Sequence, residues 1–266
     1  MLALEARGRV RIITLKRPAA RNAVDPPLAR ALYQAMLDFD ADEGFDAAVL
    51  TGAGGTFCAG FDLKAAAQGD GADWIAGLDI PPGWDDPMAE PLPSPMGPAR
   101  LMLRKPVIAA IEGHAVAGGL ELALWCDLRV MAEDAVMGVF CRRWGVPLID
   151  GGTVRLPITV GQGRANDLIL TGRPVAAGEA LRIGLADRRA APGAALAEAL
   201  DLAESLTRFP QGCLRADHLS ARLAPGELAA RLRREWASAG MVLAEGVAGA
   251  ARFAEGRGRG GDFSDL

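Results

Sequence analysis

The chain contains 266 residues, of which 50% are hydrophobic, so it can form a sizeable core and does not have the composition of a disordered protein. Its formal net charge of −4 disfavours a nucleic-acid partner, because nucleic-acid-binding proteins usually carry a basic surplus. No apolar run reaches the roughly 18 residues of a membrane span, and the N-terminus lacks the pattern of a secretion signal, so we expect a cytoplasmic protein that does not enter a membrane.

Strands and helices are predicted to alternate over about the first 160 residues. Periods of apolar residues, closed by glycine-containing turns, indicate these elements. Strands are predicted at residues 2–7, 10–15, 47–51, 107–111 and 128–131, and helices at 28–39 and 116–125. Such alternation is typical of an α/β fold.

Residues 69–98 interrupt this alternation with a segment rich in Gly, Pro and Asp. A connection of this length inside a compact domain is often a lid or a binding loop. We therefore expect this segment to shape a ligand pocket.

From about Arg164 onward the pattern changes to successive amphipathic helices separated by Gly and Pro turn signals. These helices are predicted at residues 165–170, 194–206, 213–221, 227–239 and 243–254. A helical section of this size is too small for a core of its own, so we expect it to pack on the preceding domain or on a neighbouring subunit. We place the boundary between an α/β core of residues 1–195 and a C-terminal helical region of residues 196–266.

Two segments, residues 51–64 and 105–123, each run from a strand into a glycine-rich turn. Glycines before a helix leave its first N–H groups unpaired, with the positive end of the helix dipole behind them. Such a site suits an anion, including the charge that develops on a carbonyl oxygen. Gly118 and Glu121 are three residues apart and share the first helical turn. A carboxylate there can move a proton beside an activated carbonyl, although a tight helix–strand crossing explains the same residues.

Other chemical signals in the sequence are rejected. The four cysteines (Cys58, Cys126, Cys141 and Cys213) lack metal-site spacing and are interpreted as reduced thiols, so we expect no metal. A G-x-S-x-G nucleophile motif does not occur in the sequence. Gly256, Gly258 and Gly261 match G-x-G-x-x-G, but they follow a helical pattern instead of a strand, which excludes a dinucleotide site there.

Taken together, the two glycine-rich segments resemble the signature stretches of the crotonase (enoyl-CoA hydratase/isomerase) superfamily. The similarity covers nearly the whole chain: it begins at residues 15–23, is strongest over 105–127, and continues through 144–156 to Glu245 and Gly246. The resemblance implies a crotonase-like spiral of ββα units followed by a helical trimerisation region. It also implies an enzyme acting on an acyl-CoA thioester, assembled as a homotrimer or a dimer of trimers, with no cofactor besides the coenzyme A of its substrate.

The same resemblance implies the positions of the binding residues. The backbone N–H groups of Phe61 and Gly118 correspond to an oxyanion hole for the thioester enolate. The coenzyme A and substrate contacts correspond to Arg21, Ala59, Phe61, Asp62, Leu63, Lys64 and Gly118, with Arg257 or Arg259 reaching a phosphate from the tail.

The candidate catalytic residues depart from the hydratase pattern at one position. Glu121 matches the first of the two glutamates that enoyl-CoA hydratases use on water, but Cys141 stands at the second, in a segment bounded by Gly138 and Gly145. A thiol with a free pKa of about 8.5 is a poor replacement for a carboxylate. Cys141 is a candidate nucleophile or, alternatively, a small residue of the pocket.

Asp150 is the candidate replacement for the missing glutamate. It lies three residues before Thr153, where dienoyl-CoA isomerases and aromatic-CoA dehalogenases of the superfamily carry a working aspartate. Glu121 and Asp150 are then expected to act as base and acid on the acyl chain. The alternative is that Asp150 caps the following helix.

Three functions follow from these residues. The first is an enoyl-CoA hydratase/isomerase-type enzyme that stabilises a thioester enolate. The second is a double-bond isomerase or C–C lyase of CoA esters that uses Asp150. The third is an acyl-CoA-binding protein that has lost catalysis.

Overall fold

The computed structural model describes residues 1–67 and 70–257. The strands are β1 (Leu2–Arg7), β2 (Val10–Leu15), β3 (Ala47–Gly52), β4 (Val107–Ile111), β5 (His114–Val116), β6 (Leu128–Ala132), β7 (Val136–Gly138), β8 (Pro174–Ala176) and β9 (Arg188–Ala190). The helices are α1 (Pro26–Ala41), α2 (Leu63–Ala67), α3 (Asp70–Ala76), α4 (Gly118–Trp125), α5 (Gly152–Val160), α6 (Gln162–Thr171), α7 (Ala177–Ile183), α8 (Ala195–Thr207), α9 (Gln211–Ser220), α10 (Pro225–Trp236) and α11 (Val247–Ala254).

The larger sheet contains six strands in the order β1-β2-β3-β4-β6-β9. Its first pair is an antiparallel hairpin, and the remaining pairs are parallel. Strands β3 and β4 are buried along nearly their whole length, and α8 packs across them. Their continuous apolar sequences are typical of parallel strands covered on both faces, and the predicted α/β class is confirmed.

A smaller sheet, β5-β7-β8, corrects one prediction from the sequence. The helix predicted at residues 116–125 begins only at Gly118, because Val116 is the last residue of β5 and pairs with Gly138 of β7. The apolar residues of β5 and α4 adjoin without a polar break, so periodicity alone does not separate strand from helix.

The segment predicted as a loop over residues 69–98 is only partly irregular. It contains α3, whereas Gly69 at its start lies outside the described residues. Trp84 in this segment is fully buried in an apolar cluster with Leu228 and Leu232 of α10. The segment is therefore anchored to the C-terminal helical region.

The last predicted helix, residues 243–254, is divided into two parts. A wide helical turn covers Val242–Gly246, and α11 follows it. Gly249 of α11 approaches the Trp144 carbonyl so closely that a Cβ would lie 1.8 Å from the oxygen. Of the described residues, no helix combines the length and apolarity needed to cross a bilayer.

Candidate active site

Two loops meet at the candidate oxyanion hole. The Val24 N–H donates to the Gly60 carbonyl, and the Asp62 N–H donates to the Val24 carbonyl, at 2.8 Å each. In this parallel pairing the intervening Phe61 N–H points to the opposite side. Gly60 has a φ of +97°, and a Cβ there would lie 3.0 Å from the Gly118 nitrogen. The lack of a side chain at Gly60 therefore allows the loop that carries Phe61 to lie against the loop that carries Gly118.

The residue before Gly118 has an unusual backbone conformation. Ala117 adopts φ 53° and ψ −126°, a region that residues with a Cβ rarely occupy. Its N–H donates to the Gly138 carbonyl of β7 at 2.9 Å, which holds the conformation in place. Because Gly118 is the first residue of α4, its N–H has no partner within the helix. Local strain of this kind is often found at functional sites, and here it directly precedes the candidate oxyanion-hole residue Gly118.

Glu121 of α4 is buried, with 3% of its surface exposed. Its Oε1 accepts hydrogen bonds from the backbone N–H groups of Asp150 and Gly152, at 2.9 Å each. A Cβ added at Gly152 would lie 2.8 Å from that oxygen, so a side chain there would displace the Glu121 carboxyl. Burial, reinforced by the negative charges of Asp150 and Glu235, raises the pKa of Glu121 well above its ordinary value.

Asp150 is equally buried and directs its carboxylate towards a tight turn at residues 94–97. Its Oδ1 accepts the Met96 N–H at 2.9 Å, and the Ser94 side chain is a further partner. Helix α5 starts after Gly151 without a side-chain cap, so the alternative that Asp150 caps this helix is wrong. The Asp150 carboxylate is bound by the 94–97 turn instead of by the N–H groups at the start of α5.

The carboxyl groups of Asp150 and Glu121 differ in the interactions that shift their pKa values. Burial raises the pKa of Asp150, but hydrogen bonds from Ser94 and Met96 and the nearby Arg100 guanidinium oppose that rise. The pKa of Glu121 is raised well above its ordinary value, which favours the protonated form of this carboxyl.

Glu235 of α10 is a third buried carboxylate, and the sequence interpretation missed it. Its Oε2 accepts the Gly151 N–H at 2.6 Å, and its Oε1 accepts the Thr153 N–H at 2.8 Å. Its spacing with Leu228 and Leu232 places it on the buried face of α10. A charged residue on the apolar side of a predicted helix was the available signal.

Cys141 is a buried residue of a short 3₁₀ helix, Phe140–Trp144. Burial, reinforced by the charge of Glu121, raises the pKa of the thiol to about 12. The thiol is therefore uncharged at neutral pH, which favours the pocket-residue interpretation over the nucleophile.

Met96 contributes a side chain to the same site. It is completely buried, and a Cβ added to Gly118 would lie 2.6 Å from its Sδ. Its backbone N–H bonds Asp150, as described above. Met96 therefore lies between the candidate oxyanion hole and Asp150, and no sequence motif indicated this.

The predicted coenzyme A residues lie on the loops around Phe61. Asp62 accepts the Lys64 N–H at 3.0 Å and forms an ion pair with Arg17 at 2.9 Å, so it orders the start of α2. The Arg21 carbonyl accepts the Ala59 N–H at 3.0 Å, which joins these two residues. The side chains of Arg21 and Lys64 are exposed and Leu63 is half-buried.

Arg257 and Arg259 are the two arginines of the C-terminal tail that were expected to reach a phosphate of coenzyme A. Arg257 lies 3.7 Å from Glu255 as an exposed ion pair. Arg259, Gly258 and Gly261 lie outside the described residues.

Comparison with known proteins identifies relatives of this arrangement. The family model described as enoyl-CoA hydratase/isomerase matches residues 5–92 and 99–242. An enoyl-CoA hydratase of Mycobacterium tuberculosis is 39% identical over 211 residues, which cover 77% of this chain and 73% of that protein. A carnitinyl-CoA dehydratase of Salmonella arizonae is 38% identical over 208 residues, covering 78% and 74% respectively.

Solved structures agree with the sequence relatives. A carnitinyl-CoA hydratase from Mycobacterium avium superposes with a TM-score of 0.81 at 32% identity, covering 96% of each chain. An enoyl-CoA hydratase from Mycobacterium marinum gives a TM-score of 0.71 at 36% identity, again covering 96% of both. The predicted crotonase-like fold is confirmed.

Proposed function

The chain belongs to the enoyl-CoA hydratase/isomerase family, whose members act on CoA thioesters, and we propose that it reversibly adds water to a 2-enoyl-CoA with Glu121 and Asp150 as its proton-transfer pair. One observation carries this proposal: Glu121 Oε1 accepts the N–H groups of Asp150 and Gly152, so the buried carboxyl of Glu121 contacts the backbone segment that carries the buried Asp150. Asp150 thereby supplies a second carboxylate in place of the hydratase glutamate whose position Cys141 occupies.

The proposed reaction divides the proton transfers between the two groups. Ionised Asp150 takes a proton from water as the water oxygen forms a bond to Cβ of the substrate. The electron pair of the Cα–Cβ double bond moves to the thioester oxygen, where the N–H groups of Phe61 and Gly118 stabilise the charge. Each such donor is worth roughly 3 kcal/mol in the transition state. Glu121 then donates its proton to Cα, and the product is a 3-hydroxyacyl-CoA.

The names of the relatives support this direction of chemistry. Several are called enoyl-CoA hydratase and others carnitinyl-CoA dehydratase. Dehydration of a 3-hydroxyacyl thioester is the reverse of the proposed addition, so the same acid–base pair serves both. We propose that the reaction requires no metal or redox cofactor, since the thioester itself activates Cα and Cβ.

The acyl pocket and the CoA site are proposed from neighbouring residues. Met96 lines the acyl pocket because it lies between Gly118 and Asp150. Coenzyme A follows Ala59, Phe61, Asp62, Leu63 and Lys64, with Arg21 beside it. Much of the CoA is remote from the reacting atoms, so its binding energy can hold the acyl end in place.

The oligomeric state and the division of the chain into two parts are also part of the proposal. We propose a homotrimer or a dimer of trimers in the cytoplasm. We also retain the division into a core of residues 1–195 and a helical region of residues 196–266. Glu235 belongs to the second part, so both parts contribute to the site.

A panel of CoA thioesters with mass-spectrometric product analysis tests this function. Crotonyl, longer 2-enoyl, 3-enoyl and dienoyl esters are incubated with the protein. We expect the 2-enoyl esters to gain the mass of one water molecule. Rearrangement without mass change would replace the proposal with a double-bond isomerase, and binding without reaction would replace it with an acyl-CoA-binding protein.

A further inference from the structure

Four consecutive backbone N–H groups, from residue 150 to residue 153, bind two carboxylates in alternation. The first and third donate to Glu121 Oε1 at 2.9 Å each. The second donates to Glu235 Oε2 at 2.6 Å and the fourth to Glu235 Oε1 at 2.8 Å. The segment that carries Asp150 is therefore held between a carboxylate from α4 and a carboxylate from α10.

Glu235 is extensively hydrogen-bonded, although burial still raises the pKa of its carboxyl above the ordinary value. Only 7% of its surface is exposed, and the Thr153 hydroxyl adds a third donor at 2.7 Å. A buried carboxylate is costly unless it is hydrogen-bonded, and the positive end of α5 also favours a charge at this point. The N-cap position of α5, which Asp or Ser often occupies in other helices, is Gly151. The capping carboxylate therefore comes from Glu235 of α10 instead.

Helix α10 also reaches the carboxylate side of Asp150. The Arg100 guanidinium stacks on the Trp236 ring at 4.2 Å and donates to the Pro93 carbonyl at 3.0 Å. Pro93 directly precedes Ser94, whose side chain bonds the Asp150 carboxylate. The adjacent residues Glu235 and Trp236 thus link one helix to both the backbone and the side chain of Asp150.

We infer that Glu235 is a positioning residue for the reaction: by binding the N–H groups of Gly151 and Thr153, it fixes Asp150 relative to Glu121. This inference rests on the proposed function of Asp150 and Glu121. Glu235 itself does not touch the reacting atoms in this assignment. Misplacement of a catalytic group by about 1 Å can cost about 100-fold in rate.

The test compares Glu235→Gln with Glu227→Gln on the same helix. Glutamine keeps one acceptor oxygen and puts an NH₂ group against a backbone N–H, so one bond to the 150–153 segment is lost. Glu227 is half-exposed and forms an ion pair with Arg231 at the surface, so it is a matched control for the change of charge. We expect Glu235→Gln to lower kcat for 2-enoyl-CoA hydration by about 100-fold. KM should change little because the CoA contacts lie on another loop.

A purely structural role would give a different result. Glu235→Gln would then melt earlier, but its folded fraction would keep the kcat of the wild type and of Glu227→Gln, which would overturn the inference. If Glu235→Gln does not fold, Thr153→Ala removes only the hydroxyl bond. It should lower kcat by about 5-fold, and an unchanged kcat would again overturn the inference.

A second readout separates this inference from the proposed function. Exchange of the Cα protons of a saturated acyl-CoA in D₂O requires enolate formation by the Glu121 carboxylate but no addition of water, and Glu121 binds the same 150–153 segment as Glu235. If the wild type hydrates no ester, the hydration proposal fails, and Glu235 is judged by this exchange alone. Slower exchange in Glu235→Gln than in Glu227→Gln supports the inference, and equal rates overturn it.

Discussion

Glu121 holds the backbone of Asp150 through a 2.9 Å hydrogen bond from the Asp150 N–H to its Oε1. The carboxyl group of Glu121 is therefore hydrogen-bonded directly to the backbone of the other proposed proton-transfer residue. Because the same oxygen also accepts the Gly152 N–H, the side chain of Glu121 has little freedom to rotate. Changes at either residue are expected to disturb the other.

The raised pKa of Glu121 predicts a pH-dependent stability difference between the wild type and Glu121→Gln. A carboxyl whose pKa is raised by folding contributes stability below its unfolded value, and this contribution is lost as pH rises through the folded pKa. Glutamine does not titrate. The free energy of unfolding of Glu121→Gln relative to wild type should therefore increase as the pH rises above 4.5, the ordinary pKa of the carboxyl, by up to about 1.4 kcal/mol per pH unit.

The surface variant Glu133→Gln is the control for this measurement. Glu133 is half-exposed beside Arg189, so solvent screens its charge. Its difference from the wild type should vary much less with pH. Parallel curves for the two variants would show that the buried charge of Glu121 does not affect folding.

The close approach of the two oxyanion-hole loops can be tested at Gly60. In Gly60→Ala the new Cβ would lie 2.9 Å from the Ala117 Cβ and 3.0 Å from the Gly118 nitrogen, which forces the loops apart. We expect kcat to fall by about 100-fold, as when an oxyanion-hole donor is lost. Gly55→Ala is the matched control, because Gly55 also has a positive φ but no atom within 4 Å of a new Cβ.

Both glycine variants share the cost of a left-handed alanine, about 1 kcal/mol. Only Gly60→Ala adds the collision at the candidate site. A kcat for Gly60→Ala equal to that of Gly55→Ala would contradict the proposed oxyanion hole.

Met96 is predicted to limit the acyl group. Met96→Ala removes the side chain against Gly118 and should shift kcat/KM towards longer or branched 2-enoyl esters. Met102→Ala, in a separate buried cluster, has a comparable packing cost of about 2–5 kcal/mol but should leave the substrate order unchanged. The panel of CoA esters measures the order of kcat/KM values. An identical order in both variants would show that Met96 does not line the acyl pocket.

The protonated state of Cys141 predicts that it is dispensable for chemistry. With its pKa raised to about 12 by burial, the thiol is not a nucleophile at neutral pH. Cys141→Ala should therefore keep most of its kcat. In the native protein iodoacetamide should label exposed Cys213 before the three buried cysteines. Complete loss of turnover in folded Cys141→Ala would restore a catalytic role for the thiol.

The sequence predicted what local patterns encode. The resemblance of the two glycine-rich segments to the signature stretches of the family made Phe61, Gly118 and Glu121 candidate site residues, because each lies within a few residues of its own turn. The predicted helix start at Val116 was wrong, because Val116 pairs with Gly138 of a strand that follows the helix in the chain.

Long-range partners were not predictable in the same way. Glu235 is 84 residues from Gly151 in the chain, and Met96 is 54 residues from Asp150. No periodicity connects such positions, so their contacts depend on tertiary packing. The capping interpretation of Asp150 failed for this reason, because the 94–97 turn supplies its partner.

The kcat of Asp150→Asn on the preferred 2-enoyl-CoA, measured with Glu121→Gln and the double variant, tests the central claim most directly. Asparagine keeps the acceptor for the Met96 N–H but cannot take a proton from water. We predict that each single variant loses about 10²–10⁴-fold in kcat while still binding CoA esters, and that the double variant is no slower than the worse single one, because the pair acts as a unit. Wild-type turnover by Asp150→Asn would contradict the account.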